Sequence, residues 1–177
     1  MPRLFRFCWL LILSVCFTAP RLIAAVADTP IEVRLRQIQA LLQQGSREEA
    51  RRQLTDALNQ YPREASLYNF MGVVEAQAGD YTAAETNFSK ALKLSPRFTG
   101  AAINLGKLYQ ENSARDAKAY VKAFQVYQRI LAYEPAHGEA RFQTAVLSLQ
   151  QGQYQAALAA LARLPAEVQE RPQSLAV

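Results

Sequence analysis

From Asp28 onward, apolar positions recur at spacings of three and four residues, broken by short polar turns, and no stretch alternates strictly between polar and apolar. A pattern with the 3.6-residue period predicts amphipathic helices joined by tight connections, and no strands. A longer period lies over the short one. Gly45 and Gly79 are 34 residues apart, and so are Ala50 and Ala84, Ala57 and Ala91, and Pro62 and Pro96. A fixed interval of this size predicts a repeat architecture, in which each unit is too small to seal its own apolar face and must stack on a neighbour. Function then belongs on a surface that several units share.

The clearest unit occupies residues 65–98. Its first helix is predicted from Ala65 to about Ala78, its turn at Gly79-Asp80, and its second helix from about Tyr81 to Leu94. Ser95-Pro96 stops the second helix, because proline has no amide hydrogen to donate and disfavours helical angles in the residue before it. Tyr68, Met71, Gly72, Gly79-Asp80-Tyr81, Ala84, Phe88, Ala91 and Pro96 together resemble a tetratricopeptide repeat, whose unit of about 34 residues carries small and large side chains at these offsets. The resemblance implies an all-α fold, a right-handed α-solenoid of about four helix-turn-helix units. In such packing Gly72 and Ala84 are small where the helices of one unit approach, while Tyr68 and Phe88 fill the space towards the next unit.

The same offsets divide residues 31–171 into units at about 31–64, 65–98, 99–137 and 138–171. The third contains Leu105, Gly106 and Tyr109, then Tyr120, Ala123, Tyr127, Ile130 and Pro135. Pro96 and Pro135 are 39 residues apart, five more than the period. The surplus lies around residues 112–117, where Ser113 followed by Asp116 resembles a helix-start capping pair, so the second helix is expected to gain about one turn at its start. The fourth unit carries Ala145, Gly152, Tyr154, Ala157, Leu161 and Leu164, and Pro165 is expected to shorten its second helix. The first unit diverges most, with Arg34, Gln37 and Ile38 where the family has two large apolar residues and a small one. Ile38, Leu41 and Leu42 still provide one apolar face, and a polar outer side suits a terminal unit. Residues 172–177 read as the start of a further unit or a free tail. The expectation is either a fragment of a longer array or an open apolar end that pairs with another protein.

Residues 1–27 change the picture of where the chain works. Arg3 and Arg6 precede an apolar run from Phe7 to Phe17, and Ala25-Val26-Ala27 follows, which is the layout of a secretory signal peptide cleaved after Ala27. The run is far shorter than the roughly 20 residues of a spanning helix. An uncleaved membrane anchor is one alternative, and a lipid on Cys16 is another, although Val15 is bulkier than the residue such sites place before the cysteine. Secreted or periplasmic localisation is the expectation. Both cysteines, Cys8 and Cys16, fall in this leader, so the mature chain has no thiol for catalysis, zinc or a disulfide framework. Three arginines and no acids leave with it, which lowers the formal net charge from +5 to +2. So small a charge gives no electrostatic reason to expect nucleic acid.

Candidate chemistry is sparse. His137, the only histidine, sits in a turn between units and is expected to be an ordinary surface residue, since a general base needs an oriented partner. Glu48 and Glu49 are neighbours and point about 100° apart on a helix, so they read as acids favouring its positive start. Tyr81, Tyr120 and Tyr154 recur at one offset and are expected in the core. No catalytic residue, metal site, cofactor or small-molecule substrate is expected, and the chain is not read as an enzyme.

By the resemblance, a partner lies in the concave groove lined by the first helices. The groove positions are Leu35, Gln39 and Leu42 in the first unit and Asn69, Val73 and Gln77 in the second. Ile103, Lys107 and Gln110 follow in the third, and Phe142, Val146 and Leu149 in the fourth. Mixed and more apolar than charged, this lining suits an extended peptide or a helix, with the amides of Asn69, Gln77 and Gln110 adding polar contacts. The family's clamp for a chaperone's terminal carboxylate matches only at Asn104, while its other offsets carry Leu35, Gln39, Phe70 and Gly100, which provide no cation. The expected role is an exported, non-catalytic protein-binding scaffold. The alternatives are a membrane- or lipid-anchored assembly factor of an envelope machine and the leading part of a larger protein.

Overall fold

The computed structural model describes residues 29–114, 116 and 118–163. Among these residues there are eight helices and no strand. They are α1 (Pro30–Gln43), α2 (Arg47–Gln60), α3 (Ala65–Gln77), α4 (Tyr81–Leu94), α5 (Thr99–Glu111), α6 (Ala119–Tyr133), α7 (Gly138–Gln150) and α8 (Tyr154–Leu161). The bounds of α3 and α4 match the spacing-based expectation to within one residue. The leader, with its expected cleavage after Ala27, and residues 172–177 lie outside the described residues.

Local chemistry fixes the helix ends. Thr29 and Glu32 form a reciprocal capping box with Pro30 at the first helical position, so α1 starts with its exposed amides satisfied. α1, α3 and α7 end at Gly45, Gly79 and Gly152, whose φ values of 75°, 82° and 71° lie in the left-handed region that glycine enters without strain. Each glycine lets the chain reverse within three residues.

At the end of α5 that device is missing. Asn112 stands there at φ −87°, and the chain takes residues 112–118 to reach α6, against 78–80 between α3 and α4. The surplus therefore lengthens the connection, and α6 is only one residue longer than α4. This corrects the expected extra helical turn. Ser113 does not cap α6, while Asp116 accepts the Lys118 amide at 2.8 Å and pairs with Lys122 Nζ at 2.8 Å. α8 is short, as expected, with eight residues ending ahead of Pro165.

Packing follows the alternation of small and large side chains. A Cβ on Gly72 would stand 2.6 Å from the Phe88 ring, and one on Gly106 would stand 2.5 Å from the Tyr127 ring. Each glycine thus makes room for an aromatic of its own unit. Phe88 also joins Ala84, Leu105 and Leu108 in one buried cluster, which carries the core from the second unit into the third. Tyr68 spans the same junction with Ala91 and Ala101; its hydroxyl donates to the Pro62 carbonyl, and Lys90 Nζ lies 4.2 Å above its ring.

The repeated tyrosines correct another expectation. Tyr81 is half-buried against the Ala84–Phe88 cluster, but Tyr120 is 36% and Tyr154 66% exposed. At the start of α6 it is Ala119 that is buried, and Tyr154 shares its exposed face of α8 with Leu158.

α1 touches α3 and α3 touches α5 more closely than any two second helices touch each other. The stack therefore curves with its first helices on the inner wall and its second helices outside.

Candidate partner-binding groove

The inner wall brings part of the expected lining together. Between α3 and α5 lies a depression of ≈ 220 Å³, bounded by Val73, Gln77, Asn104, Lys107 and Glu111 and floored by Phe88 from α4. Val73, Gln77 and Lys107 are shared with the sequence-derived set; Glu111 and Asn104 are not, Asn104 having been named only as the one clamp match. Gln39 on α1 is exposed, as are Gln77, Lys107 and Leu149. Phe142 and Val146 on α7 are half-buried. Leu35 and Leu42 are half-buried too, but they pack on the cluster of Ile38, Leu54 and Leu67, and Ile103 packs on that of Ala102 and Tyr127. Val73 packs in the same way on the cluster of Ala84 and Phe88.

Two of the three amides named for the groove are engaged within the chain. Asn69 is buried, and its Oδ1 accepts Asn104 Nδ2 at 2.9 Å. Gln110 donates through Nε2 to Gln143 Oε1 at 3.0 Å and accepts the Tyr127 hydroxyl through Oε1 at 2.7 Å. Both bonds tie the first helix of one unit to that of the next. Asn69 and Gln110 thus hold the inner wall in register, while Gln77 is exposed. The signal was present as amides 33–35 residues apart, one repeat plus or minus a residue.

Lys107 is paired on this wall. Lys107 Nζ lies 3.2 Å from Glu139 Oε1, and Gln143 Nε2 donates to the same carboxylate at 3.0 Å. Burial raises the Glu139 carboxyl, but the Gln143 hydrogen bond and Lys107 together more than offset it, and the group ends below the usual carboxylate range. Burial, with Glu139 and Glu111 acting in the same direction, pushes the Tyr127 hydroxyl far up. It therefore stays protonated and keeps donating to Gln110.

The candidate chemical groups prove structural. His137 caps α7, its Nδ1 accepting the Ala140 amide at 3.1 Å. Glu48 and Glu49 stand in the first turn of α2, where the Glu49 carboxylate holds Arg52 and Gln53. Among the described residues no group of three or more His, Cys, Asp or Glu could hold a metal, and no helix is long and apolar enough to cross a membrane.

Two family models, both described as tetratricopeptide repeat, match residues 35–97 and 114–177. The chain belongs to the tetratricopeptide-repeat family. A solved structure of MamA from Desulfovibrio magneticus RS-1 is similar to it at 26% identity, covering 75% of this chain and 72% of that one with a TM-score of 0.62. A tetratricopeptide repeat protein from Parabacteroides merdae shares the fold at 19% identity and a TM-score of 0.68, over 81% of this chain and 55% of that one. Among curated relatives, the uncharacterized protein ycf37 of Pyropia yezoensis is 34% identical over 67 residues, which is 38% of this chain and 35% of that protein. The chain spans between about a twelfth and a third of the length of the curated relatives it matches. Tetratricopeptide-repeat proteins are generally non-catalytic scaffolds for protein–protein interaction, and this chain has their architecture.

Proposed function

We propose that this protein holds an extended peptide or a helix of a partner protein in its inner groove and contributes no chemistry of its own. The observation that carries the reading is the depression between α3 and α5, where the apolar Val73 and Phe88 meet the polar ends of Gln77, Asn104 and Lys107. An apolar floor with a few convergent polar groups suits an apolar anchor side chain whose backbone is held at the rim. The bonds from Asn69 to Asn104 and from Gln110 to Gln143 favour this use, because a wall set in register before binding loses less conformational freedom on binding. The leader adds the second part of the proposal, that the groove works outside the cytoplasm, in the periplasm or after secretion.

Val73→Asp places a charge on the apolar part of the depression, and Phe142→Ala removes the large side chain on α7. Each is expected to weaken the partner captured from an envelope fraction by at least about tenfold, or ~1.4 kcal/mol, while circular dichroism stays helical. Undiminished affinity in folded variants would remove the groove from the account.

A further inference from the structure

The outer side of the stack repeats an arrangement of its own. Arg51 on α2 bonds Glu75 on α3 at 2.7 Å, and Glu85 on α4 accepts the Tyr109 hydroxyl on α5 at 2.7 Å. Each pair is 24 residues apart and joins a second helix to the first helix of the next unit. In both, a carboxylate stands in the slot between units.

The next pair in the series is Phe124 on α6 and Ser148 on α7, and it supplies no charge. Ser148 is only 1% exposed, yet its Oγ has no hydrogen-bond partner, an uncommon state for a buried hydroxyl. Its side chain is short where Glu75 and Tyr109 are long, and α8 faces the same place with Ala156, Ala159 and Ala160. The outcome is an open slot of ≈ 410 Å³ between α6, α7 and α8, walled by Phe124 and Leu131 and flanked by Arg141 and Arg163. No carboxylate among the described residues lines it. Arg141 reaches the Pro135 carbonyl through one terminal nitrogen, while its buried Nε is unpartnered.

We propose that this outer slot binds an acidic side chain of a partner polypeptide, with a neighbouring apolar residue resting on Phe124 and the α8 alanines. The proposal goes beyond the groove and does not rest on it. Two arginines and an unpartnered hydroxyl gather where the two earlier slots each hold a carboxylate. Guanidinium–carboxylate bonds are charge-assisted and can be bidentate, and apolar walls keep water from weakening them.

Fluorescence anisotropy on the full-length chain tests this with a fluorescein-labelled eight-residue peptide alternating leucine and glutamate, compared with its leucine–glutamine counterpart. The glutamate peptide is expected to bind at least tenfold tighter and to lose affinity as sodium chloride is raised. Arg163→Gln should weaken it at least tenfold. Ser148→Glu, which places a carboxylate of the chain's own in the slot, should do the same. Val73→Asp in the inner groove should leave the affinity unchanged. Equal binding of the two peptides, or indifference to Arg163→Gln, would overturn the proposal. So would loss of binding in Val73→Asp, which would move the peptide to the groove. Binding that emerges only when Glu167 and Glu170 are both changed to Gln would also overturn it, by assigning the slot to this chain's own acidic residues.

Discussion

Replacing Tyr127 with alanine is expected to lower the unfolding free energy by about 3–5 kcal/mol, the range for truncating a fully buried aromatic. Tyr127 is 0% exposed and stands against Gly106, within the cluster that joins Ala102, Ala123 and Ile130 to Ala140 and Leu147 of the fourth unit. Truncation leaves a hole next to Gly106, which has no side chain of its own to fill it. It also takes the hydroxyl from Gln110 Oε1, which loosens an amide already bonded to Gln143 of the next unit. Because stability in a stack is a sum of unit and interface terms, the loss should spread to the fourth unit. Urea unfolding followed by circular dichroism measures the total, and hydrogen exchange of α7 and α8 shows the spread. A loss below about 1 kcal/mol would mean that the ring is not wedged as described.

The second large effect comes from adding volume. Gly72→Leu is expected to cost about 1–3 kcal/mol, because the new side chain must enter space held by the Phe88 ring. A Cβ alone would sit 2.6 Å from that ring, and Phe88 is itself 2% exposed, hemmed in by Leu105 and Leu108. Relief is available only if the ring gives way. The double variant Gly72→Leu with Phe88→Ala should therefore recover part of the sum of the two single losses, as expected for residues in contact. Strict additivity in urea unfolding would place the two residues out of touch.

Most of the architecture was legible because it rests on strong local signals. Gly79 with Asp80, and Ser95 with Pro96, bracket α4 by backbone chemistry that does not depend on distant contacts. Gly72 against Phe88 was half legible, since the spacing marked both residues without showing that they touch each other. The five surplus residues were misread for a physical reason. Ser113 and Asp116 have the chemistry of a helix cap, but without a glycine after α5 the chain needs a longer path to reverse, and Asp116 serves Lys118 and Lys122 within that path. Tyr120 and Tyr154 show the limit of arguing from offset alone, for one recurring position is half-buried in the second unit and exposed in the two that follow.

The groove was harder to read than the fold. Offsets placed Val73, Gln77 and Lys107 on one depression, but could not show that Asn69 and Gln110 bond to the neighbouring unit. Hydrogen bonds between side chains a full repeat apart depend on the tilt between units, and a single helix pattern does not contain that tilt. The same limit hid the 24-residue series from Arg51–Glu75 to Phe124–Ser148, whose meaning lies in the place where it breaks.

The most direct test of partner binding on the inner wall is photo-crosslinking, with p-benzoylphenylalanine placed singly at Val73, Lys107 or Phe142 and, on the outer side of α4, at Thr82 or Thr86. The account predicts that a partner from the envelope fraction joins the chain at the three inner positions and at neither outer one. Adducts formed from Thr82 or Thr86, with none from the inner three, would contradict it.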